Sequence, residues 1–575
     1  MRIKHIIWIF LFNASYSYAQ IAPDVGRVLE EQKQLNQLPD FPSRAPLVLP
    51  EEKVKPAVSA DELHITVKAF RFSGEIKSFP VAALQELLTD LIGKSLTIGE
   101  LQEAAERVTV YYRQRGYFLA TVLLPKQDVT EGIVTLHVFE GVLDRKNGVK
   151  IQGSKLRVKP QVLLKTVQAS IPADEAMHKE SLERALLLIG DLPGMTATSR
   201  LEAGDEAGGT RVAVQAAEGD LLVPNLALNN HGNIYTGAHQ IVAGLSVNDP
   251  SGIGDQFSVN LSRSLAGLLS SAKYSYSLPI GSDGLRAGLS YTDVAFKLAG
   301  LQPDPQSTGS AQNWTLNARY PVIRSLQRNL AFTASYDWKR LFTDAFQTPV
   351  SDKRVDVVAL GLNWDHQDTL GGGAFTSASL TGVTGSLDLT RVKSAAQADA
   401  NSAQTSGRYN KWLWSLSRMQ RLSEDVSLLL QASGQQAGKN LDGGEKFSLG
   451  GPTGVRAYPG GEGAGDEGYK FTIEPRWNVG RLGESVEFQL SAFYDMGYVV
   501  QNRTLWPTAN LPTPNAYSLF GQGVSVALTR PGWADFRITY AHKLGINPGA
   551  NVSTGADADG RKDPGRVWLT LTMML

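Results

Sequence analysis

The sequence predicts a membrane all-β barrel of about 16 antiparallel strands, preceded by two small α+β domains and an N-terminal helix. Three observations lead there. From about Leu221 to Leu575, strand-like segments alternate apolar and polar residues, and helical patterns disappear. Ahead of them, the order strand, helix, helix, strand, strand occurs twice. The chain begins with a secretory leader and has no cysteine, which suits a compartment where free thiols are oxidised.

A chain of 575 residues should hold more than one domain. Its 56 basic and 56 acidic side chains cancel, so charge gives no reason to expect a nucleic-acid partner. The absence of cysteine excludes disulfides and thiolate metal sites. Residues 1–19 read as a signal peptide. Arg2 and Lys4 make a positive start, Ile6 to Phe12 an apolar core, and Ser17-Tyr18-Ala19 a small-x-small cleavage site. The apolar run is too short to span a bilayer as a helix, and no later segment is long enough. The mature chain is therefore expected to be periplasmic, secreted or an outer-membrane barrel.

Residues 20–38 are expected to be helical. Pro23 suits a first turn, Asp24 favours the positive helix end, and Val25, Val28, Leu29 and Leu35 are roughly helically spaced. The remaining face is polar, so the helix is not expected to be a core element. A frayed terminus is one reading of it. Residues 39–61 carry Pro39, Pro42, Pro46, Pro50 and Pro56 and read as an extended, semi-rigid linker.

Residues 62–141 form the first α+β domain. His64 to Phe72 reads as a strand and Val81 to Ile92 as a helix. Thr97 with Glu100 makes a capping box for a second helix. Arg115-Gly116-Tyr117 turns the chain, and Phe118 to Leu124 and Ile133 to Phe139 read as strands. Residues 142–219 repeat the order, with strands at 149–152, 197–201 and 211–217 and helices at 161–169 and 179–189. Glu218-Gly219 echoes Glu140-Gly141. Sheet edges in such units can pair with an extended peptide; a rigid spacer is the other reading.

Residues 220–575 are the barrel. Phe257, Val259 and Leu261 alternate with Ser258, Asn260 and Ser262. Leu330, Phe332, Ala334, Tyr336 and Trp338 alternate with Ala331, Thr333, Ser335, Asp337 and Lys339. Phe471, Ile473, Pro475 and Trp477 face away from Lys470, Thr472, Glu474 and Arg476. One apolar and one polar face is the pattern of a membrane barrel with a wet interior, and closure leaves no backbone edge unpaired in lipid. A soluble sandwich would not tolerate charged side chains on its packed face. Tyr336, Trp338 and Trp364 are expected at strand ends, in the interfacial girdles.

No catalytic constellation emerges, so the chain is read as a non-enzyme without a cofactor. The eight His are scattered and lack metal-ligand spacing. Gly450-Gly451-Pro452-Thr453-Gly454 lacks the Lys of a phosphate loop, and no Gly-x-Ser-x-Gly elbow is present. Glu462, Asp466 and Glu467 form an acidic group, read as a solvated loop in preference to a cation site.

The most informative stretch is the Gly-rich segment Phe447 to Tyr469, which carries Val455, Arg456, Ala457 and Tyr458. Downstream, Phe493, Asp495 and Gly497 fall in SAFYDMGYV. Val486, Phe488, Leu490 and Ala492 form the apolar face of that strand. Asp495 shares the parity of Glu487, Gln489 and Ser491, so it is expected to point into the lumen. A charge-assisted fork from Arg456 could reach it; an exposed Arg on a surface loop is the alternative.

These residues resemble the V-R-G-Y loop and F-x-D-x-G strand of two-partner secretion transporters, the hemolysin secretion/activation family of ShlB/FhaC/HecB type (TpsB). The repeated units, with RGYFLATVLLP and VFEG in the first, resemble polypeptide-transport-associated (POTRA) domains. The resemblance implies an outer-membrane barrel with two periplasmic POTRA domains and a plug helix in its lumen. It implies a pore loop pinned by an Arg456–Asp495 ion pair. It also implies ATP-free export of a large partner protein (a hemolysin, adhesin or contact-dependent toxin), captured through its N-terminal secretion domain. Outer-membrane lipid and the barrel-assembly machinery are the further partners. A barrel-assembly factor of the same superfamily is the second reading, and a passive porin or receptor the third. Two positions depart from the family pattern. Ala457 replaces the motif Gly, and the chain ends Met573-Met574-Leu575 where an aromatic residue is usual.

Overall fold

The computed structural model describes residues 24–35, 64–144, 147–172, 175–205, 209–299, 307–483 and 485–575. The expected signal peptide (1–19) and linker (39–61) lie outside the described residues, as do residues 20–23 and 36–38 of the expected helix.

Sixteen antiparallel strands close into one barrel, from Leu222–Asn229 to Gly565–Met574, each paired with its neighbours in sequence. Closure joins the first strand to the last through five residue pairs, Asn225↔Met574 to Asn229↔Thr570. The first strand makes eight pairs with its other neighbour, Gln240–Asn248. The outer face is apolar and exposed, for example at Leu261, Leu316, Leu360, Trp412 and Val524. Strand Arg328–Ala345 runs 18 residues, well beyond the 9–11 needed to cross a bilayer. Tyr336 and Trp338 therefore sit inside that strand and not at its ends.

The lumen is not uniformly wet. Phe296, Leu341, Val355, Val357 and Leu387 form an apolar patch on its wall. The helix Val25–Leu35 lies against this patch and buries Val25, Val28 and Leu29 there. Its polar side chains meet the wall and the loops. Lys353 Nζ bonds Asp24 (2.8 Å) and Asp442 (2.6 Å). Lys339 Nζ bonds Glu30 (3.0 Å) and Glu445 (2.8 Å). Ser262 Oγ donates to Gln32 at 2.5 Å, and Lys33 approaches Asp337 at 3.4 Å. A polar helix thus does serve as a packed element, because its narrow apolar stripe finds an apolar strip in an otherwise polar channel.

The first α+β unit has a core of Phe70, Leu84, Leu88, Leu101, Val108, Tyr112, Val134 and Leu136. The capping box at Thr97 and Glu100 starts its long helix, Ile98–Gln114. Three segments are shorter than the periodicity suggests. The first strand breaks into Ile65–Thr66 and Ala69–Ser73. The first helix ends at Glu86 and continues as a 3₁₀ turn, Thr89–Leu91. Phe118 to Leu124 retains only Thr121–Leu123, because Ala120 N–H bonds Tyr117 O and turns the chain.

The repeated Glu-Gly has a physical basis. Glu140 accepts the N–H groups of Lys77 and Ser78, and Glu218 accepts those of Arg157 and Val158. Each carboxylate ties the end of a central strand to the segment before the unit's first helix. The second unit docks on the barrel's periplasmic turns, where Arg324 holds Asp191 through Nε (2.9 Å) and Nη2 (2.7 Å). Arg184 reaches Asp283 (2.9 Å) and Pro321 O (3.0 Å).

Candidate functional site in the barrel lumen

The loop between strands Val426–Ala437 and Glu467–Leu482 folds back into the barrel. Leu449, Val455, Ala457 and Tyr458 are fully buried against Phe493, Val499, Leu519 and Ala541 of the wall. Loop turns fix the fold locally: Val455 N–H bonds Leu449 O at 2.7 Å and Tyr458 N–H bonds Val455 O at 3.1 Å.

Arg456 is held on every side. Its Nε and Nη2 donate to Asp495 at 2.9 and 2.8 Å, and its main-chain N–H donates to Asp495 at 3.1 Å. Its Nη1 donates to Glu474 at 2.6 Å. Thr472 Oγ1 donates to Asp495 (2.9 Å) and Arg476 Nε to Glu474 (2.9 Å). Two guanidiniums therefore balance two carboxylates in a nearly closed site. Phe493 lays its ring against the Arg456 guanidinium, 3.4 Å from its centroid. Burial alone would lower the Arg456 pKa, but Asp495 and Glu474 hold it above its ordinary value. Gly497 leaves room for the loop, since a Cβ there would lie 2.8 Å from Leu449 and 3.2 Å from Val455.

Ala457 is not strained. The described non-glycine residues with positive φ are Lys155, Asp249, Phe346, Gln347 and Gln404. The Ala457 methyl faces Gly521 on the wall.

The structure brings Val455, Arg456, Ala457, Tyr458, Phe493, Asp495 and Gly497 together. Four further members of the site escaped the sequence reading. Thr472, Glu474 and Arg476 were visible on the polar face of their strand, but nothing local tied them to the Arg456 loop. Trp568, on the last strand, donates its indole N–H to Arg456 O at 2.7 Å. Nothing local in the last strand ties Trp568 to this loop.

The acidic group corrects an expectation, because two of its three members are not solvated. Asp466 is fully buried and bonds Lys446 at 3.0 Å. Glu462 is buried and accepts Asn547 Nδ2 at 3.0 Å and Ala558 N–H at 2.6 Å. Burial pushes the Glu462 carboxyl up to about 7 despite those hydrogen bonds. Glu467 is only partly covered and pairs with Arg503. Among the described residues, no cluster has the make-up of a metal site. The acids instead tie loop to loop. The helix joins the same assembly, since Arg27 Nη1 donates to Gly461 O at 3.1 Å.

A closed barrel with a loop pinned across its lumen, fed by periplasmic α+β domains, defines an outer-membrane transporter of the two-partner secretion class. The chain belongs to the haemolysin secretion/activation protein ShlB/FhaC/HecB family, whose model matches residues 208–518. A ShlB-type POTRA domain matches residues 65–141. The heme/hemopexin transporter protein HuxB of Haemophilus influenzae strain 86-028NP is 26% identical over 417 residues, 72% of each chain. The outer membrane transporter CdiB of Dickeya dadantii is 22% identical over 463 residues, 79% of this chain and 78% of that one. The solved structure of CdiB from Escherichia coli shares the fold with a TM-score of 0.75 at 21% identity, covering 97% of this chain and all of that one. The protein resides in the outer membrane, with its N-terminal domains in the periplasm.

Proposed function

We propose that this transporter captures one large secreted partner through that partner's N-terminal secretion domain and exports it through the barrel without ATP. The partner is a hemolysin, an adhesin or a contact-dependent toxin. The chain acts as a conduit and not as an enzyme. Lipid surrounds the barrel, and the barrel-assembly machinery inserts it.

The observation that carries the reading is the two-part occupancy of the lumen. Both the helix and the Arg456 loop fill the lumen, each seated by ion pairs and hydrogen bonds as well as by apolar contacts. The first α+β unit has a three-stranded sheet with Ala69–Ser73 and Thr121–Leu123 as its edge strands, where an extended segment could add by strand pairing. Extracellular folding of the partner would supply the drive.

The test uses cells carrying the transporter and a candidate partner. Partner protein should appear in the medium with the transporter and stay in the periplasm without it. Loss of other outer-membrane barrels on depletion, with partner export unaffected, would instead establish the barrel-assembly reading.

A further inference from the structure

The last strand ends the barrel and also touches the Arg456 loop. Trp568 lies on that strand, nearly buried, and its indole N–H meets the Arg456 carbonyl. The ring stands edge-on to His231, 5.7 Å between centroids at 82°. His231 Nε2 lies 3.1 Å from Thr570 Oγ1. Asn230 adds two bonds across the same seam: its Oδ1 accepts Leu569 N–H at 2.7 Å and its Nδ2 donates to Val567 O at 2.8 Å. The strand pairs of the seam end at Asn229↔Thr570 and one backbone bond follows, Asn230 N–H to Leu569 O at 3.3 Å, so these side chains reinforce the ladder where it runs out. Arg456 is thus held from two directions. Its side chain is fixed to strands Glu467–Leu482 and Val486–Val500, and its carbonyl to the closing strand.

We propose that Trp568 is a positioning residue for the Arg456 loop, fixing it through the main chain to the strand that closes the barrel. The proposal deepens the reading that this loop's seat matters for export. The indole is suited to the task. A buried carbonyl needs a donor, and the ring's flank packs on the seam while its N–H reaches inward. The loop's seat and the extracellular end of the seam then form one mechanical unit.

The chain has no cysteine, so Val455→Cys, with a side chain smaller than the valine it replaces, places a single thiol on the fully buried loop. Its labelling from outside by a membrane-impermeant maleimide reports loop undocking, independently of export. Trp568→Phe keeps the packing and removes the donor. Labelling is expected to rise about five-fold, the factor carried by one net hydrogen bond, with the barrel still heat-modifiable and partner export reduced. Arg456→Ala in the same background is the positive control. Labelling in Trp568→Phe no higher than in its parent, with Arg456→Ala labelled, overturns the proposal. Raised labelling with normal export leaves Trp568 as a positioning residue and removes the loop's seat from the export mechanism. If neither variant labels, both statements fall. If Trp568→Phe does not insert, His231→Ala frees the indole from the seam side, and unchanged labelling there overturns the proposal equally.

Discussion

Ala457 and Gly521 stand so close that only one of them has room for a methyl: a Cβ built on Gly521 would lie 2.8 Å from that of Ala457. The loop carries Ala where the family motif has Gly, and the wall opposite carries the Gly. The next contacts of a Cβ at Gly521, Ala457 N and His542 O, are at an ordinary 3.5 Å. Gly521→Ala should therefore unseat the loop and reduce export, while Ala457→Gly should be tolerated. The double variant should recover most of the export, because one methyl again faces one glycine. Failure of the double variant to recover would mean that the contact does not govern the loop's seat.

Arg456→Ala should leave the strands closed and the barrel inserted, since their pairing does not depend on the loop. It removes the cation shared by Asp495 and Glu474, and breaking a buried pair from one side costs about 3–5 kcal/mol. Partner protein in the medium should fall sharply. Asp495→Ala should do the same, and the double variant should be little worse than either, as for two residues acting as one unit. Additive losses would show that they act separately.

Deleting residues 20–38 should raise single-channel conductance in planar bilayers, because the helix occupies the lumen. Gly26 offers a point-variant version. A Cβ there would meet the Gly444 backbone at 2.8 Å, so Gly26→Val should keep the helix from seating and also raise conductance. Unchanged conductance in both would rule out a plugging role.

Glu462 should make the loop assembly sensitive to pH. Its carboxyl sits at about 7 in the folded chain, against an ordinary 4.5. The folded state therefore holds the proton more tightly than the unfolded state. That contribution to stability is complete below about 4.5 and is lost as pH rises through about 7. At 1.4 kcal/mol per unit, the loss is about 3 kcal/mol. The temperature of heat-modifiable migration should fall between pH 5 and 8, and Glu462→Gln should flatten that fall. An equally steep fall in the variant would assign the pH dependence to other groups.

Much of this molecule was legible in the chain. Strand alternation has a period of two residues and is local, so the apolar outer face and the inward parity of Asp495 could be read without a fold, and the length of the alternating region set the strand number at about 16. The Thr97–Glu100 cap and the repeated Glu-Gly were likewise short-range signals. What the sequence could not determine was which inward residues meet inside the cylinder. Arg456 and Trp568 are 112 residues apart, and their contact depends on where the last strand returns to the first. The same holds for Ala457 facing Gly521, for Glu474 sharing Arg456, and for the helix stripe finding its apolar wall. Closure of the barrel and the inward fold of one loop decide these contacts, because they set distances that no local pattern encodes.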